Sequence, residues 1–207
     1  MRTIAVGVAA LGLILTPLAG TASAASGEDL AGEQAVVLKV DAAQDKAAAI
    51  KALSVHERDL LQQSVKHMTH NTGTKVVRTG QATRVGGAAG AASPNVVHPD
   101  SGGCWSQYWY DDWYDFTVKT GSTWMEADWC SNGSSITSYY TTNVGAQGAG
   151  TNSYEGLSNS GSRNVGWEVR QYQSFHFNFW GVDAYPCMQI RGGATGLYSE
   201  QESCNVG

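Results

Sequence analysis

The chain has 207 residues, a net charge of −5, 42% hydrophobic residues, 25 glycines and four cysteines. All 20 aromatic residues and all four cysteines lie after position 100, where ten acids face four bases. That charge balance lacks the basic footprint a nucleic-acid partner or an anionic membrane surface requires, and a first half without rings has little bulky apolar surface to offset chain entropy by itself.

Met1-Arg2-Thr3 is a short basic start, Ile4 to Leu18 an apolar run, and Ala22-Ser23-Ala24 a small-x-small cleavage site. This is the layout of a secretory signal peptide over residues 1–24. The apolar run is short for a bilayer span, and no lipobox cysteine is present, so no stable membrane anchor is expected. The expected product is secreted and extracellular, where disulfides persist.

Residues 25–100 carry eight acids and eight bases and are rich in Ala, Gln, Lys and Val. They read as a weakly helical leader, a pro-segment or a tether rather than an independent domain, because Val and Ala bury little surface. Alanine-rich Asp41 to Leu53 favours a helix. Ser54-Val55-His56-Glu57 is a capping box opening a second helix with Leu61, Val65 and Met68 on one face, and Asn71-Thr72-Gly73 supplies the residue types of its C-cap. Thr74 to Val85 is weakly strand-like. Gly86 to Pro94 has linker composition, within a linker region 86–100. His67 and His70 share a helix face, with Glu57 or Asp59 as a nearby carboxylate, but a zinc site needs three or four converging ligands and spacing alone is a weak signal, so no metal and no cofactor are expected.

Residues 101–207 are expected to form a mainly β domain, an antiparallel sandwich or barrel with two disulfides. Cys104 to Phe116 admits two patterns. Trp105, Trp109 and Trp113 would stripe a helix, yet aromatic enrichment favours a strand covered on both sides. From Thr123 to Cys130, Met125, Ala127 and Trp129 alternate with Trp124, Glu126 and Asp128. Ile136 to Val144 is rich in Thr and Tyr. Trp167, Val169, Phe175, Phe177 and Phe179 share one parity, against Glu168, Arg170, Tyr172, Ser174, His176 and Asn178, which predicts one buried and one wet face. Cys187–Arg191 and Thr195–Ser199 read as a last hairpin across Gly192-Gly193. The Gly-, Ser- and Asn-rich stretch from Gly145 to Asn164 reads as a long loop. Four cysteines allow three pairings, and the end-tying arrangement, Cys104 with Cys204 and Cys130 with Cys187, is preferred over the neighbouring one.

For chemistry, Glu126 and Asp128 point to the same side of a strand, and paired carboxylates can hydrolyse glycosidic bonds. The Glu-x-Asp fragment resembles retaining β-glucanases, whose strand motif has a third carboxylate two positions on; here that position is Cys130, which removes half of the acid–nucleophile pair. An acidic, solvated strand face is therefore favoured, and His176, without a nucleophile elbow, reads as a surface histidine. So many rings exceed what a small core hides, and exposed Tyr and Trp suit sugar or protein recognition. The candidate binding residues are Trp105, Trp109, Trp113, Trp124, Tyr139, Tyr172 and Trp180.

The stretch Trp124-Met125-Glu126-Ala127-Asp128-Trp129-Cys130-Ser131-Asn132-Gly133 with Ile136-Thr137 resembles small secreted proteins of actinobacteria. So does Tyr185-Pro186-Cys187 with Arg191-Gly192-Gly193-Ala194-Thr195-Gly196-Leu197-Tyr198. This likeness covers residues 101 to 204 and implies export and a disulfide-bonded β fold, without an activity or a site. Ser174 to Trp180 resembles the aromatic end of lactococcin-like bacteriocins. The expected function is a secreted, non-enzymatic β-domain that binds a glycan, another cell-envelope component or an extracellular protein. The alternatives are a carbohydrate hydrolase acting through Glu126 or Asp128, and a bacteriocin-like or inhibitor protein released from its pro-segment.

Overall fold

The structure is a computed structural model and describes residues 27–74, 83–84 and 102–207. The expected signal peptide, its cleavage site and the linker region 86–100 lie outside the described residues. Among those described, three helices come first: α1 Gly27–Asp41, α2 Lys46–Ala52 and α3 Val55–Ser64. Ten strands follow: β1 Thr69–Thr74, β2 Thr83–Arg84, β3 Cys104–Asp115, β4 Val118–Ser131, β5 Ile136–Gly148, β6 Ser153–Asn164, β7 Glu168–Phe179, β8 Val182–Ala184, β9 Cys187–Gly193 and β10 Leu197–Gln201.

The strands make two sheets, ordered β1-β3-β4-β5 and β2-β10-β9-β7-β6, with β8 against β7. Every pairing is antiparallel except the short β2–β10 contact. The expected mainly β architecture is therefore present, as two sheets packed in a sandwich-like arrangement.

Side-chain alternation decides what lies between the sheets. On β3, Trp105, Gln107, Trp109 and Asp111 turn inward, opposite Trp129, Ala127, Met125 and Thr123 of β4. From the second sheet Val169, Phe175, Phe177, Phe179, Ile190 and Tyr198 meet them in one apolar core. Polar bonds cross the same gap: Trp129 Nε1 donates to the Gly193 carbonyl at 3.0 Å, and Thr141 Oγ1 to Gln171 Oε1 at 3.0 Å.

The helices join this core. Val36, Val37, Val40, Leu53 and Leu61 belong to the same buried cluster as Trp109 and Val118. The Ser54 capping box forms with both of its bonds, 3.2 Å from Glu57 N to Ser54 Oγ and 2.8 Å from Ser54 N to Glu57 Oε2. The helix expected over Asp41 to Leu53 is the shorter α2, and α1 has no signal in the periodicity.

Four expectations are corrected. Asn71-Thr72-Gly73 does not close a helix; it lies in β1, paired with Asp112, Asp111 and Tyr110 of β3. An available sheet edge outweighs local C-cap chemistry there. Gly145 to Asn164 is not a long loop, because β5 runs to Gly148 and β6 covers most of the remainder against β7. Its small polar residues pair with β7, and two bulges absorb the irregular spacing. The cysteines join as neighbours, Cys104 with Cys130 and Cys187 with Cys204, and not end to end. Cys104 and Cys130 face each other directly on the β3–β4 ladder, so the register brings them together. Gly192 and Gly193, expected in the last turn, end β9 instead, and the chain reverses over residues 194–196.

Candidate functional site

Most of the rings expected at a binding surface serve the core. Trp105, Trp109, Tyr172 and Trp180 are buried. Trp105 stacks on Trp129 with ring centroids 6.2 Å apart, and Trp109 donates to Asp111 Oδ1 at 3.1 Å. Tyr172 lies across Gly161, where a Cβ would meet its ring at 2.6 Å. Trp180 donates to Asp115 Oδ2 at 2.8 Å. Trp113 is half-buried, stacked on His70 at 5.3 Å and bonded to Thr123 Oγ1. Two packed sheets with helices added offer more interior than the aromatic half alone would, which is why these rings find cover. Trp124 is half-exposed and Tyr139 exposed.

Glu126 and Asp128 share the outer face of the first sheet, as the alternation requires. Glu126 is buried and accepts from Ser106 Oγ at 2.7 Å; Asp128 Oδ2 accepts from Thr142 Oγ1 at 2.8 Å. Tyr108, Tyr110, Trp124 and Tyr140 lie on the same face by register. Tyr110 crosses Gly73 and Trp124 crosses Gly145, where a Cβ would meet the rings at 2.2 and 2.5 Å. Burial, and secondarily the Glu126 charge, push the Tyr108 hydroxyl above its ordinary range. Cys130, at the third-carboxylate position, is held in a disulfide. His176 is half-exposed, stacked on Tyr185 and 3.1 Å from Asp183 Oδ1, which holds that carboxyl below its usual range.

A groove of about 430 Å³ opens at the other end of the sheet register, between the β4–β5 turn, the start of β7 and the β9–β10 hairpin. Local chemistry fixes each wall. Asn132 Oδ1 accepts from Ser134 N and Ser135 N, which folds the first turn. Gly166 sits at φ 93°, and its carbonyl accepts from Ile136 N at 2.7 Å. The Trp167 carbonyl accepts from Ala194 N at 2.8 Å, joining the second wall to the third. Trp167 thus stands at the groove 61% exposed, with Leu197 and Tyr198 as apolar neighbours.

The polar lining is sparse and specific. Glu168 Oε1 accepts from Arg170 Nε at 2.7 Å and lies 3.8 Å from Arg191 Nε. Arg191 Nε is shielded from solvent and has no hydrogen-bond partner. Ser134, Thr195 and Ser199 add hydroxyls. A large exposed indole beside a few convergent polar groups is the make-up of a small-ligand site. No family model matches the chain, and no match is found among curated proteins or solved structures.

Trp167 was not among the expected binding residues. Its parity assigns it to the buried row with Val169, but it precedes the first residue of β7 and its ladder partner, so no opposing sheet covers it. The preceding Gly166, in a conformation that favours glycine, was the available signal that the regular strand begins later.

A second polar cluster binds the helices to the sandwich. Asp115 is buried, and its Oδ2 accepts from Ser64 Oγ at 2.6 Å and from Trp180 Nε1. Burial raises this carboxyl above its ordinary 3.8, against the opposing effect of the two hydrogen bonds. The folded state therefore holds a proton that the unfolded chain releases first. Asp115 adds stability below pH 3.8, and that contribution is lost as pH rises from there through the raised folded value. Asp115→Asn is expected to flatten the fall in melting temperature as pH rises from 3.8, measured by thermal unfolding at fixed ionic strength. An unchanged slope would assign the pH dependence elsewhere.

Among histidine–carboxylate groups of the described residues, His70, Asp111 and Glu202 offer three ligand atoms within 4.8 Å of one another. His67 Nε2 lies 3.7 Å from buried Glu33 Oε2.

Proposed function

We propose that the protein is a secreted, non-enzymatic β-domain that binds a glycan of the cell envelope in the groove beside Trp167. The observation that carries this reading is the 61% exposed indole of Trp167 beside Arg191, whose Nε has no hydrogen-bond partner and only the longer 3.8 Å ion pair with Glu168. Sugars present C–H faces that stack on indole and hydroxyls that exchange hydrogen bonds with Arg, Glu and Ser side chains. Two disulfides among the described residues support an oxidising, extracellular setting.

The test is a glycan array of cell-wall fragments, with calorimetry on any hit. Trp167→Ala is expected to weaken binding by about tenfold or more, roughly 1.4 kcal/mol, with the fold unchanged by circular dichroism. Unaltered affinity in that variant sinks the groove as the binding site.

The shared face of Glu126, Asp128, Tyr110 and Trp124 favours one second reading, a carbohydrate hydrolase. It requires release of reducing ends from an envelope polysaccharide, abolished in Glu126→Gln or Asp128→Asn.

A further inference from the structure

We propose that His70, Asp111 and Glu202 form a divalent transition-metal site, zinc by ligand type, that ties β1 and β3 to the segment after β10. This inference is independent of the glycan reading. The three ligands come from three separate segments: His70 from β1, Asp111 from β3, and Glu202 from just beyond β10. His70 Nδ1 lies 3.6 Å from Asp111 Oδ1, and His70 Nε2 lies 2.7 Å from Glu202 Oε1. Trp113 stacks on the imidazole and fixes its plane.

Asp111 is the decisive member. Its side chain is wholly buried and directed at His70 through Oδ1, which also receives the Trp109 N–H at 3.1 Å. Its Oδ2 is buried and has no hydrogen-bond partner. A buried carboxylate oxygen left so carries a full desolvation cost. The charge count points the same way. A protonated imidazole balances one of the two carboxylates and leaves the group with net charge −1. A divalent ion with a neutral imidazole balances both.

Ligand chemistry narrows the ion. Calcium and magnesium prefer all-oxygen shells, whereas imidazole with carboxylates suits zinc. Zinc–ligand bonds of about 2.0–2.2 Å require ligand atoms roughly 3.3–3.6 Å apart in a tetrahedron. The present 4.8 Å limit closes by movement of Glu202, which is exposed and follows the last strand. Three protein ligands leave a fourth position for water.

The experiment uses the full exported chain, stripped with a chelator and titrated with zinc chloride by calorimetry and thermal unfolding, with magnesium and calcium chloride in parallel. One equivalent of zinc is expected to bind and to raise the melting temperature, with magnesium and calcium without effect. Glu202→Gln, at an exposed position, and His70→Gln are each expected to weaken zinc binding by about tenfold or more. His56→Gln and His67→Gln are expected to bind as the parent chain does. No zinc-dependent rise in melting temperature, or an equal rise in Glu202→Gln, overturns the proposal.

Discussion

Replacing Trp129 with alanine is expected to remove about 3–5 kcal/mol of stability, a large share of the ~5–15 kcal/mol typical of a domain. Three features of one side chain combine to produce that loss. The ring is fully buried and stacked on Trp105 across the β3–β4 ladder. It rests directly on Gly192 of the opposite sheet, where a Cβ would meet it at 2.4 Å. Its N–H satisfies the Gly193 carbonyl. Alanine would leave a cavity between the sheets and an acceptor without its partner. Equilibrium urea unfolding checks this, and a change below about 1 kcal/mol would mean that the sheets are held chiefly elsewhere.

A chain shortened to begin at Ser101 is expected to melt well below the full one, by about 10 °C or more, given ~4–8 °C per kcal/mol for a domain of this size. The shortened chain loses Val36, Val37, Val40, Leu53 and Leu61 from the common core. It also loses the strand that covers β3 from Tyr114 to Trp109, and the Ser64 partner of Asp115. An uncovered β3 edge offers unpaired backbone groups to other molecules, so aggregation is the second expected sign. Paired melting curves of the two chains, with light scattering, give the answer. Equal melting temperatures would show that residues 101–207 stand alone, as the aromatic asymmetry of the sequence suggests.

The sequence pattern is legible where one face of a strand is buried and the other wet. The alternation of Met125, Ala127 and Trp129 against Glu126 and Asp128 recurs in the burial of β4, apart from Glu126, which is covered although it faces outward. The alternation in β7 holds for Val169, Phe175, Phe177 and Phe179, but Tyr172 and Ser174 are also buried. Tyr172 is covered across Gly161, and Ser174 bonds to Ser158, so β6 supplies cover that the period of β7 cannot reveal. The capping box at Ser54 needs only neighbours in sequence and was correctly read for that reason.

What depends on distant partners was not legible. β1 exists because β3 offers its edge, and nothing in Thr69 to Thr74 announces a strand. The disulfide pairing follows from the β3–β4 register, which cysteine spacing does not encode. The groove was missed for a related reason. Its lining comes from a turn near Gly133, the entrance to β7 and the last hairpin, which are far apart in the chain. Trp167 reads as a core residue until the end of the opposing ladder is known.

Both sulfur bridges link cysteines within residues 104–204, and neither reaches the helices or β1. A protease cut between β1 and β3 would therefore give two polypeptides without a covalent link, associated through backbone pairing, apolar contact and the Ser64–Asp115 bond. The nicked species would co-elute as one particle on a sizing column and run as two bands in detergent without any reductant. Conversion to two bands during maturation would not by itself mean that the N-terminal piece had departed.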